Sequence, residues 1–214
     1  MSFDIICFDC DSTLSKIEGI DELAMRVGLG EEMSALTDSA MNGEVPLEAV
    51  YEQRLSLIKP DQSAIDWLAD LYIDTMVNDV EEVFKTLLEK GKQVHIISGG
   101  LRQAILPLAK KLGLFADHIH AVDIFFNQDG SYRGFDSASP LAKTGGKAKI
   151  CQSLKNGASK LVMIGDGQTD LESKQAGALF IGFGGVVDRK AIREKADYFV
   201  STSSLTGVLE LIIK

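Results

Sequence analysis

No uncharged apolar run in this chain approaches the ~18 residues that a membrane-spanning helix needs. Cysteine is scarce: Cys7, Cys10 and Cys151 form an odd, sparse set, which excludes a disulfide-stapled scaffold and agrees with a reducing compartment. Proline is also scarce, 4 positions against 20 Gly, so collagen-like and Pro-rich disordered chains are excluded. Basic residues are outnumbered, 22 Lys and Arg against 31 Asp and Glu, for a formal charge of −9. An acidic surface repels phosphate backbones, so no nucleic-acid partner is expected, although a local cationic pocket can still hold one small anion. The first residues carry acids and no basic stretch ahead of an apolar one, so neither a leader nor a membrane contact is expected and the cytoplasm is the expected location.

What remains is an ordinary globular profile, 45% hydrophobic and 25% charged over 214 residues. That length exceeds the usual ~150 of one domain and calls for an embellished one. Residues 4–8, 93–97 and 160–164 are short, β-branched apolar runs that stop at small or acidic residues, as buried parallel strands do. Helical spacing lies between them, at Val83, Phe84, Leu87 and Leu88 before Gly91, and at Leu101, Ile105, Leu108 and Leu112 before Gly113. Pro107 inside the second pattern predicts a kink or a shifted start. The fold class expected is α/β, a Rossmann-like parallel sheet flanked by helices. Residues 15–77 show helical spacing without a convincing strand and predict a helical cap inserted after the first strand, over a core of 1–14 and 78–214. Asp129-Gly130, between aromatic runs, predicts a type I′ β-hairpin flap over 122–135.

Ligands of open α/β sheets bind beyond the carboxyl ends of strands. There stand Asp9-Cys10-Asp11-Ser12-Thr13, Ser98-Gly99-Gly100, and Gly165-Asp166-Gly167-Gln168-Thr169-Asp170. Any one Asp reads as a helix N-cap, but four carboxylates delivered to one sheet edge repel one another, and a divalent cation such as Mg²⁺ is the usual remedy. Asp9 and Asp11 can divide the work of nucleophile and proton donor. Lys147, Ser98 and the glycine amides can hold phosphate oxygens. Other motifs fall away. Gly146-Lys147 lacks the glycine and hydroxyl of a P-loop, and Gly182-x-Gly184 ends in Val187 where a dinucleotide fingerprint needs Gly or Ala. Cys7-x-x-Cys10 has redox spacing, but Cys7 belongs to the strand; Cys10, between two candidate catalytic acids, is expected to make turnover sensitive to alkylation or oxidation. His118 and His120 read as core or surface residues rather than metal ligands.

These residues resemble the haloacid dehalogenase superfamily and, within it, the phosphoserine phosphatases of the compact type without a regulatory domain. The motifs stand as Asp9-x-Asp11-x-Thr13, Ser98, Lys147 and Gly165-Asp-Gly-x-x-Asp170. The resemblance implies a phosphoaspartyl intermediate on Asp9, acid–base work by Asp11, and Mg²⁺ held by Asp9, the Asp11 carbonyl and Asp166 with support from Asp170. In the segments Glu18-Gly-Ile-Asp-Glu-Leu-Ala, Ala40-Met41-Asn42-Gly43-Glu44-Val45-Pro46 and Arg54-Leu-Ser-Leu-Ile it further implies substrate binding. Glu18 faces an amino group, Met41 covers the substrate, and Arg54 pairs with its carboxylate, beside Ser98, Gly99, Gly100, Lys147 and Thr169. Asn42 stands where the family commonly has Gly, a change expected to crowd the substrate. Leu101 stands where Phe often follows Ser-Gly-Gly, and Thr169 where many members of the superfamily have Asn. The partner expected is a small phosphomonoester such as O-phosphoserine, for a monomer or homodimer. Another small phosphate ester, phosphoryl transfer to an alcohol, and a non-catalytic phosphate-binding regulator remain alternatives.

Overall fold

A computed structural model describes residues 3–42, 44–157 and 159–213, so Met1, Ser2, Gly43, Ala158 and Lys214 lie outside the described residues. Strand β1 (Ile5–Phe8) is followed by four helices, α1 (Gly19–Arg26), α2 (Gly30–Met41), α3 (Leu47–Ile58) and α4 (Gln62–Asp74). Helix α5 (Val80–Glu89), strand β2 (Gln93–Leu101), helix α6 (Arg102–Lys111) and strand β3 (Ile119–Val122) come next. The hairpin β4 (Ile124–Phe126) and β5 (Tyr132–Phe135) leads to α7 (Gly146–Leu154), β6 (Leu161–Gly165), the single turn α8 (Gln168–Leu171) and β7 (Leu179–Phe183). Helix α9 (Lys190–Lys195), strand β8 (Tyr198–Val200) and α10 (Leu209–Ile212) end the described chain.

Six strands form one sheet in the order β3-β2-β1-β6-β7-β8, and every neighbouring pair runs parallel. The fold is α/β. Ile6, Cys7 and Phe8 of β1 are fully buried, and Phe8 meets Phe84 of α5 at 4.9 Å between ring centroids. A strand covered on both faces needs apolar residues at every position, which is why β1 and β6 lack alternation. The chain leaves β1 toward β2 on one side, and β6 begins the other half, so the connections diverge beside β1. That divergence opens a crevice at the carboxyl edge.

Between β1 and α5 the described residues form four helices and an isolated antiparallel bridge, Ser15 to Met76, where the chain leaves the core and returns. Helix α4 packs along α6, which anchors the insertion to the sheet's helical layer. Two sequence expectations need correction, the end of β2 and the type of the hairpin turn. Strand β2 does not stop at 97 but continues through Ser98, Gly99 and Gly100 to Leu101, with a register shift against β3. Helix α6 starts at Arg102 and contains Pro107. At the hairpin tip only Gly130 takes a left-handed φ, +82°, while a type I′ turn needs two such residues. Asp129 instead accepts hydrogen bonds from the Ser131 amide and hydroxyl, 3.0 and 2.6 Å, and the register shifts at Phe125/Phe126 as in a bulged, longer loop.

All three histidines of the chain meet at the β2–β3 edge. His95 and His118 stack at 4.5 Å, and His120 Nε2 lies 3.3 Å from His95 Nδ1. Burial, with the neighbouring His118 and His120, pushes His95 down to about 4, against a small pull from Asp117. The folded chain therefore takes up this proton less readily than the unfolded one. The contribution of His95 is complete above about pH 6.5 and is lost as the pH falls toward 4. Between pH 7.5 and 5 the wild type should lose about 1–2 kcal/mol more than His95→Phe, read from urea midpoints. Equal losses would remove the assignment.

Candidate active site

Asp9 closes β1 with its amide donating to the Ile164 carbonyl at 2.9 Å, the last rung between β1 and β6. The chain then turns sharply: Ser12 adopts a left-handed φ of +51°, a conformation costly for a residue with a Cβ, and the amides of Leu14 and Ser15 donate to the Cys10 carbonyl. The turn leaves Asp9 Oδ1 facing Lys147 Nζ at 2.7 Å, with the Cys10 amide donating to the same oxygen at 2.8 Å. Lys147 is the second residue of α7 and reaches Asp170 Oδ1 at 2.6 Å as well. Its neighbour Gly146 has no room for a side chain, because a Cβ there would lie 2.0 Å from the Pro140 carbonyl oxygen. This contact seats the start of α7 and aims the ammonium. Asp170, fully buried in the first turn of α8, accepts from the Gly167 amide at 3.0 Å, and Asp166 accepts from Arg189 Nε at 3.2 Å.

Asp9, Asp166 and Asp170 each offer an oxygen within 4.8 Å of the other two. Burial, then the charge of Asp9, pushes Asp166 up to about 7, and the same two causes raise Asp170. Burial works against the charge of Lys147, but Asp170 and Asp9 outweigh it and hold the ammonium protonated well above its usual range. The cluster thus carries more negative charge than Lys147 and Arg189 neutralise. A hard, oxygen-seeking divalent cation such as Mg²⁺ fits this donor set.

Asp11 points away from the other three acids. Its Oδ1 accepts from the Gly19 amide and the Tyr72 hydroxyl, both at 2.7 Å, and its Oδ2 lies 3.4 Å from Ser98 Oγ. Burial and the nearby Asp9 push it up to about 6. One pocket joins Asp9, Asp11 and Lys147 to Gly99, Gly100 and Thr169 of the sheet edge and to Glu18, Met41 and Arg54 of the insertion. Ser98 stands behind that wall, fully buried, and accepts from the Gly100 amide at 2.9 Å. Glu18 accepts from Ser12 Oγ at 2.7 Å, and burial, with Asp11 and Asp166, raises it. Arg54 is only 3% exposed; it donates to Thr37 Oγ1 at 3.0 Å through one terminal nitrogen, while its buried Nε has no partner. A guanidinium donor left unsatisfied beside a pocket is costly unless something anionic completes it.

A family model of haloacid dehalogenase-like hydrolases matches residues 3–177. The chain belongs to this family. The hydrolase is 38% identical to the phosphoserine phosphatase of Bos taurus over 212 residues, 98% of this chain and 94% of that one. Its structure is similar to that of a phosphoserine phosphohydrolase-like protein from Francisella tularensis, TM-score 0.88 at 25% identity over 99% of this chain and 100% of the other. A phospho-aspartyl intermediate analogue of a phosphoserine phosphatase superposes with TM-score 0.81 at 28% identity, covering 99% and 100%.

Sequence reading passed over several residues of this hydrolase's site. Arg189 follows β7, the strand end read only for its glycines; the same search for charge beyond strand ends finds it. Tyr72, 1% exposed, and Tyr51, whose hydroxyl donates to the Gly99 carbonyl at 2.8 Å, were indistinguishable from apolar-face residues of α4 and α3. Two expectations are corrected. Cys10 is fully buried, with burial foremost in raising its thiol, so reagents in solution lack the access that sensitivity to alkylation or oxidation requires. Asn42 does not line the pocket and so does not crowd it; its side-chain oxygen accepts from Arg189 at 3.3 Å.

Removing the ammonium while keeping the stem's bulk, Lys147→Met, should leave Asp9 and Asp170 as unpaired buried charges and cost about 3–5 kcal/mol. The carboxylates of the variant can recover only by taking up protons, so its deficit in chemical denaturation should be larger at pH 8 than at pH 6. A deficit independent of pH would show that the lysine serves as packing alone.

Proposed function

We propose that this hydrolase is a Mg²⁺-dependent phosphatase that converts O-phospho-L-serine to L-serine and phosphate through an aspartyl phosphate on Asp9. One observation carries the substrate class: a single pocket holds, beside the Asp9–Lys147 cluster, a buried guanidinium with an unsatisfied donor, Arg54, and a buried acid, Glu18. A phosphorylated amino acid presents the complementary set, a carboxylate, an ammonium and a phosphoryl group, and Arg offers the carboxylate a two-pronged donor. The relatives named phosphoserine phosphatase support the same choice.

Asp9, Asp166 and the Asp11 main chain would hold Mg²⁺, with Asp170 steadying the site through Lys147. Bound there, the ion supplies positive charge against the phosphoryl oxygens. The Asp9 carboxylate attacks phosphorus and the bond to the serine oxygen breaks, while Asp11 gives that oxygen its proton. Asp11 then takes a proton from the water that attacks phosphorus and returns Asp9 to a carboxylate. A proton held near pH 6 can pass in both directions at neutral pH. The Gly99 and Gly100 backbone, Thr169 and Lys147 line the phosphoryl end, and Ser98 supports it from behind through the Gly100 amide. Helices α1 to α4 act as a cap that brings Glu18, Met41 and Arg54 over it. The 122–135 hairpin serves as a flap braced on the cap: the Gln62 amide donates to the Gly130 carbonyl at 2.9 Å, and Tyr51 meets Phe135 at 5.2 Å. Three buried cysteines without disulfides suit the cytoplasm.

Phosphate release from O-phosphoserine, O-phosphothreonine and sugar phosphates, with and without Mg²⁺, tests the reading. O-phosphoserine should lead in kcat/KM by more than about tenfold, ~1.4 kcal/mol, and a smaller margin rejects the substrate assignment. Asp9→Asn should abolish both turnover and the acid-stable phosphoenzyme; Mg²⁺-dependent hydrolysis surviving in it would overturn the mechanism. Arg54→Gln should lower kcat/KM for O-phosphoserine about 100-fold and leave O-phosphoethanolamine, which lacks the carboxylate, within about threefold. Equal losses on both substrates would place Arg54 in the framework rather than in recognition.

A further inference from the structure

Arg189 caps the start of α9 on the core side, yet its guanidinium reaches the cap. Nε donates to Asp166 Oδ2 at 3.2 Å; a terminal nitrogen donates to Asp38 Oδ1 at 3.2 Å and Asn42 Oδ1 at 3.3 Å. Asp38 and Asn42 are four residues apart and share one face at the end of α2. Met41 lies beside them with its sulfur against Gly167, where a Cβ would come within 3.1 Å. The two halves of this bridge differ in environment. The Asp166 side chain is 1% exposed and that of Asp38 is 63% exposed, so the leg to the core is shielded and the leg to the cap is wet, weak and easily broken.

One positive charge shared by two carboxylates cannot serve both fully. We propose that Arg189 is a positioning residue that couples cation loading at Asp166 to closure of the cap, an inference that rests on Asp166 being a cation site. A divalent cation at Asp166 takes over the compensation that Arg189 supplies and frees the guanidinium for Asp38 and Asn42. The end of α2 is thereby drawn down and Met41 is held over the pocket. Linkage makes the effect reciprocal: acceptors on the cap that hold Arg189 away from Asp166 must strengthen cation binding there.

Mn²⁺ binding, with the free ion counted by electron paramagnetic resonance, gives a readout independent of turnover. Asp38→Ala should weaken Mn²⁺ binding about two- to fivefold, the range of an exposed charge pair. Asn42→Ala should weaken it in the same direction although no charge is removed. Both effects should vanish in an Arg189→Gln background. An Asp38→Ala effect that persists there, or an Asn42→Ala variant that binds as the wild type does, would reduce Asp38 to a distant attractive charge and overturn the coupling. Hydrogen exchange at the 38–42 amides should slow when Mn²⁺ is added to the wild type and not in Asp38→Ala; unchanged exchange in the wild type also overturns it. Wild-type protein that binds no Mn²⁺ fails the cation-site reading itself, whereas binding with equal affinity in all variants fails the coupling alone.

Discussion

Lys147 Nζ lies 2.7 Å from Asp9 and 2.6 Å from Asp170, and the carboxyl edge of the sheet is organised around that ammonium. The ends of β1 and β6 and the first turn of α8 converge there with Asp9, Asp166 and Asp170, acids that no apolar core tolerates alone. The lysine can occupy the centre because Gly146 lets α7 press against the Pro140 carbonyl, and because Asp170 folds back into space that a side chain on Gly165 would fill. The arrangement stays short of positive charge, which is what suits it to a cation and an anionic ester rather than to stability.

The same shortage reaches across the interface with the cap. Asp11 and Asp166 both raise Glu18, and Asp9 raises all three, so the negative field is a property of the closed pocket and not of any single loop. Two cap residues answer it in different ways. Arg54 contributes a buried cation whose remaining donor needs an anion, and Tyr72 contributes a neutral donor that fixes Asp11 Oδ1 and leaves its other oxygen toward Ser98. Arg189 works from the opposite direction, carrying core charge out to α2. Recognition of the amino-acid end and handling of the phosphoryl end thus share one electrostatic account.

Much of the catalytic edge was legible because its chemistry is local. In a parallel sheet the carboxyl ends of all strands share one edge, so Asp9, Asp11, Ser98, Asp166 and Asp170 can be placed near that edge from the sequence alone. Glu18 and Arg54 stood out only by resemblance, since an isolated acid or arginine on a helix reads as a solvated charge. Tyr72 was not legible at all, and Arg189 was legible only as a charge beyond a strand end, without its partners. Asp11 and Tyr72 are 61 positions apart, Arg189 and Asp38 are 151, and no periodicity encodes such pairings. The hairpin turn failed for a different reason: Asp-Gly satisfies two loop types, and the side chain of Asp129 bonding forward to Ser131 selects the longer one.

The sequence by itself determined the α/β class, the helical insertion after the first strand and which acids gather at the sheet's carboxyl edge, because apolar runs and strand-end residues act over a few positions. Tertiary structure alone decided the charges' partners. Which acid Lys147 shares, which oxygen of Asp11 is tied, and which helix Arg189 reaches depend on how α2, α4 and α7 seat against the sheet. Burial then converts ordinary side chains into perturbed ones, since a carboxyl group responds to the solvent it has lost and the charges brought within a few ångströms, neither of which exists in the extended chain.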